Sequence, residues 1–270
     1  MDSRQVFRKM DIGTGKDLGE YSEGGEQVPV HLIDIKDAGE DYHVAAFQDD
    51  FESVIQDLNR RQVIPVLCGG SGLYLEAVLE GLQLTQVPVD RRYRDTMRNK
   101  TVPELILLLN EGISVPYHVD VKSKKRLVRA LEIQRYLASH PEFKISSGKQ
   151  DFEIFILDLP RETRRNLISE RLKKRFEEGL LQEVEQLRQI LPDEQLMRYG
   201  LEYKWITLHL NGTMSYDEMF TKLETEIHRF AKRQMTWFRR LSRKYPAAHW
   251  LDATLTAENL TEYIIEYVKY

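Results

Sequence analysis

The sequence predicts an α/β fold, a parallel sheet flanked by helices with a helical insertion between two of its strands. Three observations predict it. Short β-rich apolar runs recur far apart along the chain. Long stretches with apolar residues at three- and four-residue spacing lie between them. The span 86–147 holds helical patterns and no convincing strand.

The runs HLIDI (31–35), VIPVLC (63–68), FEIFILDL (152–159) and HWLDA (249–253) read as buried strands. Helical material separates the first three, which favours parallel pairing. Segment 44–61 reads as a helix before the second strand, and 103–112 and 123–139 as helices of the insertion. Residues 163–190 and 216–241 read as long helices and 256–270 as a terminal one. The stretch 18–28 is a turn-rich loop whose Gly24–Gly25 pair is ordinary turn chemistry. These elements divide the chain into a core domain of residues 1–85 and 148–270 and an insertion of residues 86–147.

Composition narrows the class. With 270 residues, 41% hydrophobic and 30% charged, the chain can bury a substantial core as a soluble globular protein. Its apolar runs are too short to span a bilayer, and the polar start shows no secretory signal. The single cysteine, Cys68, excludes an internal disulfide and any multi-cysteine metal site. A cytoplasmic protein is expected. The net charge of −4 hides basic clusters at 91–100, 122–135 and 228–244, the last with seven Lys and Arg and no acid. Any one cluster could be a solvated helix face; three together favour a polyanionic partner.

Two local patterns bear on anion chemistry. Gly69–Gly70–Ser71 follows a predicted strand and opens a helix, so its backbone amides could face an anion, or it could be a tight turn. Arg171 and Arg175 lie four apart on one helical face, where they could bind an anion or form surface ion pairs.

Four separated motifs then agree: DSRQVFRKMDIGTGK (2–16), CGGSGLYLEAVLEGL (68–82), KKRLVRALEIQRYL (124–137) and HRFAKRQMTWFRRL (228–241). In this order and spacing the chain resembles the tRNA dimethylallyltransferases. The last motif is the most specific, with Arg229, Ala231, Lys232, Arg233, Gln234, Thr236 and Trp237 matching R-x-x-A-K-R-Q-x-T-W. The resemblance implies a P-loop NTPase-like core. It also implies transfer of a dimethylallyl group from dimethylallyl diphosphate to N6 of adenine 37 in tRNAs reading codons that begin with U, assisted by Mg²⁺. Asp2 would be the general base, and Arg175 would bind the diphosphate with Arg171, Gly69 and Gly70. Ser3, Arg4, Gln5, Ser71, Arg94, Lys125, Arg126, Arg129, Arg198, Arg229, Lys232, Arg233 and Gln234 would contact the anticodon stem-loop of tRNA. A monomer is expected.

The match also departs from the family. It begins at Asp2, downstream of the strand and G-P-T-x-x-G-K-T loop with which the family opens. GTGK (13–16) is followed by Asp17, and SGKQ (147–150) also lacks the following Ser or Thr. The first strand and P-loop, with the Mg²⁺ site expected there, are therefore read as missing. Little turnover is expected from this polypeptide alone, and a catalytically inactive tRNA-binding paralogue is the alternative. Lys122–Ser123 replaces the family's N-D pair, and Arg198 sits one place from strict register in the segment around YGLEY (199–203).

Overall fold

The computed structural model describes residues 2–23, 25–81, 83–115, 119–143 and 152–268. Gly24 and the SGKQ segment lie outside the described residues. The chain divides into two compact units: residues 1–75 with 151–270, and residues 76–150.

In the first unit a 3-10 turn, Leu18–Tyr21, leads into a two-residue hairpin, β1 (Ser22–Glu23) and β2 (Glu26–Gln27). Helix α1 (Val44–Arg60) follows, its first turn closed by the His43 ring, which accepts from the backbone N–H of Ala46. Its buried residues Phe47, Phe51, Ile55 and Leu58 recur at helical spacing and form one face. Helix α2 (Gly72–Glu80) follows the glycine turn, and the boundary between the units falls within it.

The second unit continues with a 3-10 turn at Gln83–Gln86 and helices α3 (Arg91–Met97), α4 (Val102–Glu111) and α5 (Lys124–Ser139). Thr101 and Glu104 form a capping box at α4, and Ser123 caps α5 by accepting from the N–H of Arg126. The serine that departs from the family's N-D pair is thus still an N-cap. Leu105, Leu127, Ala130 and Leu131 form this unit's small core.

Back in the first unit, β3 (Phe155–Asp158) pairs in parallel with β4 (His249–Asp252), burying Ile156 and Leu251. Between them run α6 (Arg161–Glu177), α7 (Leu180–Arg188), the short α8 (Asp193–Leu196), α9 (Leu201–Leu210) and α10 (Tyr216–Lys244); α11 (Ala257–Tyr267) closes the chain. The main core joins Val6, Phe7 and Met10 to Leu172, Leu180, Val184, Leu187, Tyr203, Ile206, Met219 and Leu223. The first segment of the chain is thereby held among α6, α7, α9 and α10.

Three expectations change. The predicted strand 31–35 is irregular, because Leu32 and Asp34 take left-handed backbone angles (φ 61° and 55°) that interrupt an extended run. All that remains is one parallel bridge, Phe7 to Lys36. Segment 63–68 has no regular structure: a strand needs a ladder partner, and among the described residues none pairs with it, leaving Val63, Ile64 and Val66 exposed. The single helix expected over 163–190 is two helices, broken where Gly179 adopts φ 104°.

The core predicts its own sensitivity. Leu180→Ala is expected to destabilise the protein by about 2–5 kcal/mol, whereas exposed Leu107→Ala should change stability by roughly 0.5 kcal/mol or less. Urea unfolding midpoints at constant slope would measure both.

Candidate active site

The site is built on the chain's first sixteen residues. Lys16 is almost wholly buried, and its ammonium donates to the Phe7 carbonyl at 2.7 Å and to the carboxylates of Asp11 and Asp34. The lysine of GTGK therefore ties its own loop to segment 31–36. Glu183, on α7, accepts from the backbone N–H groups of Asp11, Ile12 and Gly13 at 2.8, 2.7 and 3.0 Å, and from the Tyr203 hydroxyl at 2.8 Å. A Cβ on Gly13 would come within 2.6 Å of the Tyr203 ring, so only glycine lets the loop lie this close. The Gln5 side chain donates to the Gly15 carbonyl at 2.7 Å, closing the loop from its other side.

That closed loop receives a guanidinium. Gly15 has φ 62°, and a Cβ there would lie 1.8 Å from an Arg175 nitrogen, so the loop and the arginine fit only because the position carries no side chain. The Arg175 side chain is 11% exposed. Its one ion pair among the described residues, to Glu202, is loose at 3.9 Å, and no hydrogen bond accompanies it. Arg171, one turn earlier and open to solvent, has its pKa lowered by partial desolvation and then by the charge of Arg175 beside it. Burial pushes the Glu202 carboxyl above the ordinary carboxylate range. The charge of Asp2 adds to this, while its own backbone N–H, Arg175 and Arg171 pull the other way.

Asp2 accepts from the Arg4 backbone N–H at 2.8 Å and from the Ser71 hydroxyl at 3.3 Å. Residues far apart in sequence (Asp2, Ser71, Arg171, Arg175 and Glu202) thus come into one electrostatic neighbourhood within the first unit. The glycine turn is held from α10: the Gln234 amide donates to the Gly70 carbonyl at 3.1 Å, and a Cβ on Gly72 would fall 2.8 Å from the Trp237 ring. Gln234 and Trp237 are therefore engaged with the turn, while Arg229, Lys232 and Arg233 stay exposed. A cleft of about 480 Å³ between α6 and α10 is lined by Arg161, Arg164, Arg165, Arg229, Lys232 and Arg239, with His228 beside them.

Other predicted residues divide by what they touch. Ser3 and Arg4 are half-buried, with the Arg4 guanidinium 6.0 Å from the Tyr199 ring centre; Arg198 and Gly69 are exposed. In the second unit Arg94 and Arg129 both grip Glu132, whose side chain is 2% exposed, with Arg94 bonds at 3.0 and 2.9 Å. The Asp90 N–H adds a bond at 2.7 Å, and Arg129 also donates to the carbonyls of Leu84 and Val87. Burial alone would raise the Glu132 pKa, but these bonds outweigh it and hold it below the usual range. Lys125 is exposed, and Arg126 pairs with Asp120 at 2.8 Å on the surface. Among the described residues no group of three or more His, Cys, Asp and Glu is arranged to hold a metal ion. Sequence reasoning did not single out Glu183, Lys16 or Glu202. Lys16 and Glu202 did lie inside quoted segments, GTGK and YGLEY, whereas Glu183 lay in none.

Fold and site define a helix-rich α/β protein with a small parallel sheet, in which a loop-seated arginine faces a carboxylate. The chain belongs to the IPP transferase family, whose model matches residues 5–241. It is 46% identical over 266 residues to tRNA dimethylallyltransferase 2 of Porphyromonas gingivalis, covering 98% of this chain and 88% of that protein. It is 44% identical over 270 residues to tRNA dimethylallyltransferase 2 of Bacteroides fragilis, covering 99% and 88%. The crystal structure of a tRNA isopentenylpyrophosphate transferase from Bacillus halodurans superposes with a TM-score of 0.70 at 29% identity, covering 99% of this chain and 85% of that one. A eukaryotic dimethylallyltransferase acting on tRNA shares the fold, with a TM-score of 0.75 at 24% identity over 93% of this chain and 66% of its own.

The buried pairing at Glu132 carries a pH signature. Its lowered pKa means that the stabilisation is present above the ordinary glutamate range and is lost as pH falls through the depressed folded value. Glu132→Gln is expected to cost about 3–5 kcal/mol at neutral pH. The gap to the wild type should close in acid, as followed by thermal unfolding across pH.

Proposed function

We propose that this chain is a tRNA dimethylallyltransferase, moving a dimethylallyl group from dimethylallyl diphosphate to N6 of adenine 37 in tRNAs that read codons beginning with U. The observation that carries the reading is the gathering of Asp2, Ser71, Arg171 and Arg175 in one unit of a chain that belongs to this family. An exocyclic amine is a weak nucleophile, and a carboxylate placed to accept its proton helps it attack. In the proposed step N6 bonds to the first carbon of the prenyl group, the carbon–oxygen bond to diphosphate breaks, and the N6 proton passes to Asp2. Arg175 and Arg171 stabilise the charge that gathers on the departing diphosphate, and the half-filled, loop-seated guanidinium of Arg175 suits that role. The amides of Gly69 and Gly70 belong to the same proposed subsite. Mg²⁺, when bound, would neutralise further diphosphate charge.

The adenine must leave the anticodon-loop stack to reach such a site. Phosphate contacts dominate protein–nucleic acid interfaces, so we assign tRNA backbone contacts first to exposed Arg229, Lys232, Arg233 and the arginines of the adjoining cleft. We assign further contacts to Ser3, Arg4, Gln5, Ser71 and Arg198, and in the insertion (residues 86–147) to Lys125 and Arg126 ahead of Arg94 and Arg129, which already serve Glu132. A P-loop-type sheet stays part of the proposal. The parallel pairing of β3 with β4 supports it. A cytoplasmic monomer fits this reading, and no helix among the described residues is long and apolar enough to cross a membrane.

The test is incubation with dimethylallyl diphosphate and either an anticodon stem-loop or AMP, with the nucleosides analysed after digestion. Prenylated adenosine from the stem-loop alone is expected. Stem-loop binding with no transfer at any donor concentration would reject the enzyme reading in favour of a binding protein. Asp2→Asn is expected to lower kcat by about 10²–10⁴-fold with little change in stem-loop affinity. Arg175→Ala should weaken donor use far more than tRNA binding, and equal loss of both would remove its assignment.

A further inference from the structure

Some arginine–carboxylate contacts in this protein are bidentate. Arg188 and Asp193 meet through two hydrogen bonds of 2.9 and 3.1 Å, and Arg94 grips Glu132 with a similar pair. Those guanidiniums are bound side-on to a permanent partner. Arg175 differs. Its side chain is even more buried than that of Glu202, 11% against 16% exposed, yet the two groups stand 3.9 Å apart and no hydrogen bond joins them. A sheltered guanidinium with its donors unfilled is costly unless another anion is meant to fill them. The backbone confirms that the position is built, since Gly15 gives up its side chain to seat Arg175.

We propose that Glu202 is a positioning residue of the diphosphate subsite, an internal counter-ion that diphosphate displaces from Arg175 and that takes up a proton from solvent as it yields. This rests on the diphosphate reading given above. Glu202 lies in the first turn of α9, where its own N–H donates to it and the helix end favours negative charge. Around it stand Arg171 and Arg175 from α6, Asp2 from the first segment and Tyr203 beside it, with Asp17 and Glu20 near Arg171. Burial and Asp2 favour its neutral form, while its own backbone N–H and the two arginines favour the charged one. A diphosphate on those arginines would cancel their pull and add its own repulsion, leaving protonation as the stable state. The proton leaves water and binds a Glu202 oxygen, and no covalent bond changes. As pH rises, the wild-type protein must find that proton at lower concentration, so diphosphate binding should weaken.

Titration calorimetry with inorganic pyrophosphate on the full chain, in buffers of different ionisation enthalpy and from about pH 6 to 8.5, reads this directly. Wild-type protein should take up close to one proton more than Glu202→Gln. Its affinity should fall with pH more steeply, by up to about tenfold per unit beyond the common slope from pyrophosphate itself. Glu202→Asp, which keeps the charge, should keep the excess uptake. Equal uptake and parallel pH slopes in wild type and Glu202→Gln would overturn the proposal. Should Glu202→Gln fail to fold, the wild-type and Glu202→Asp proteins decide it: proton uptake no greater than pyrophosphate alone requires overturns it. Arg175→Ala separates this idea from its premise. If that variant binds pyrophosphate as well as wild type, the diphosphate subsite itself is wrong. If it loses binding while Glu202→Gln matches wild type in every respect, only the role of Glu202 falls.

Discussion

The burial of one ammonium group, that of Lys16, underlies the site. A charged side chain removed from water must be matched on the spot, and here two carboxylates and a carbonyl do so. Their convergence fixes loop 11–16 against segment 31–36 without a strand between them. Glu183 does the complementary work from α7, with a carboxylate answering three successive backbone N–H groups. Positive and negative charge are thus both used to shape one glycine-containing loop, and the shape of that loop decides where Arg175 stands.

A division of labour among the basic residues follows. Arg94, Arg129 and Arg188 are satisfied by carboxylates and act inside the fold. Arg229, Lys232 and Arg233 are exposed on α10, which buries Met219, Leu223, Met235 and Leu241. Arg175 belongs to neither group, being sheltered and incompletely paired. The same helix that presents charge outward also sends Gln234 and Trp237 down onto the glycine turn. One helix therefore couples the surface to the turn that holds Ser71 against Asp2.

Much of this was legible in the sequence. The helix spans followed from periodicity, α10 and α5 most closely. The strands at 31–35 and 63–68 were not legible, because apolar β-rich composition states a preference and pairing supplies the structure. Leu32 and Asp34 show it: a left-handed backbone and the demand of a buried lysine outweigh the pattern. The break at Gly179 was visible as a glycine but not as a stop, since helical spacing resumes at Leu180. Glu183 was invisible because three of its four partners are main-chain N–H groups, which leave no mark in side-chain spacing.

The first unit is assembled from the two ends of the chain, and this has a consequence for its biosynthesis. The fully buried residues that share a core with Val6, Phe7 and Met10 lie between Leu172 and Leu223. At ribosomal speeds of roughly 5–20 residues per second, these apolar groups emerge on the order of ten to forty seconds before their covering is made. Residues 76–150 carry a core of their own and can close during that wait. The nascent amino terminus, meanwhile, is a natural client for a chaperone.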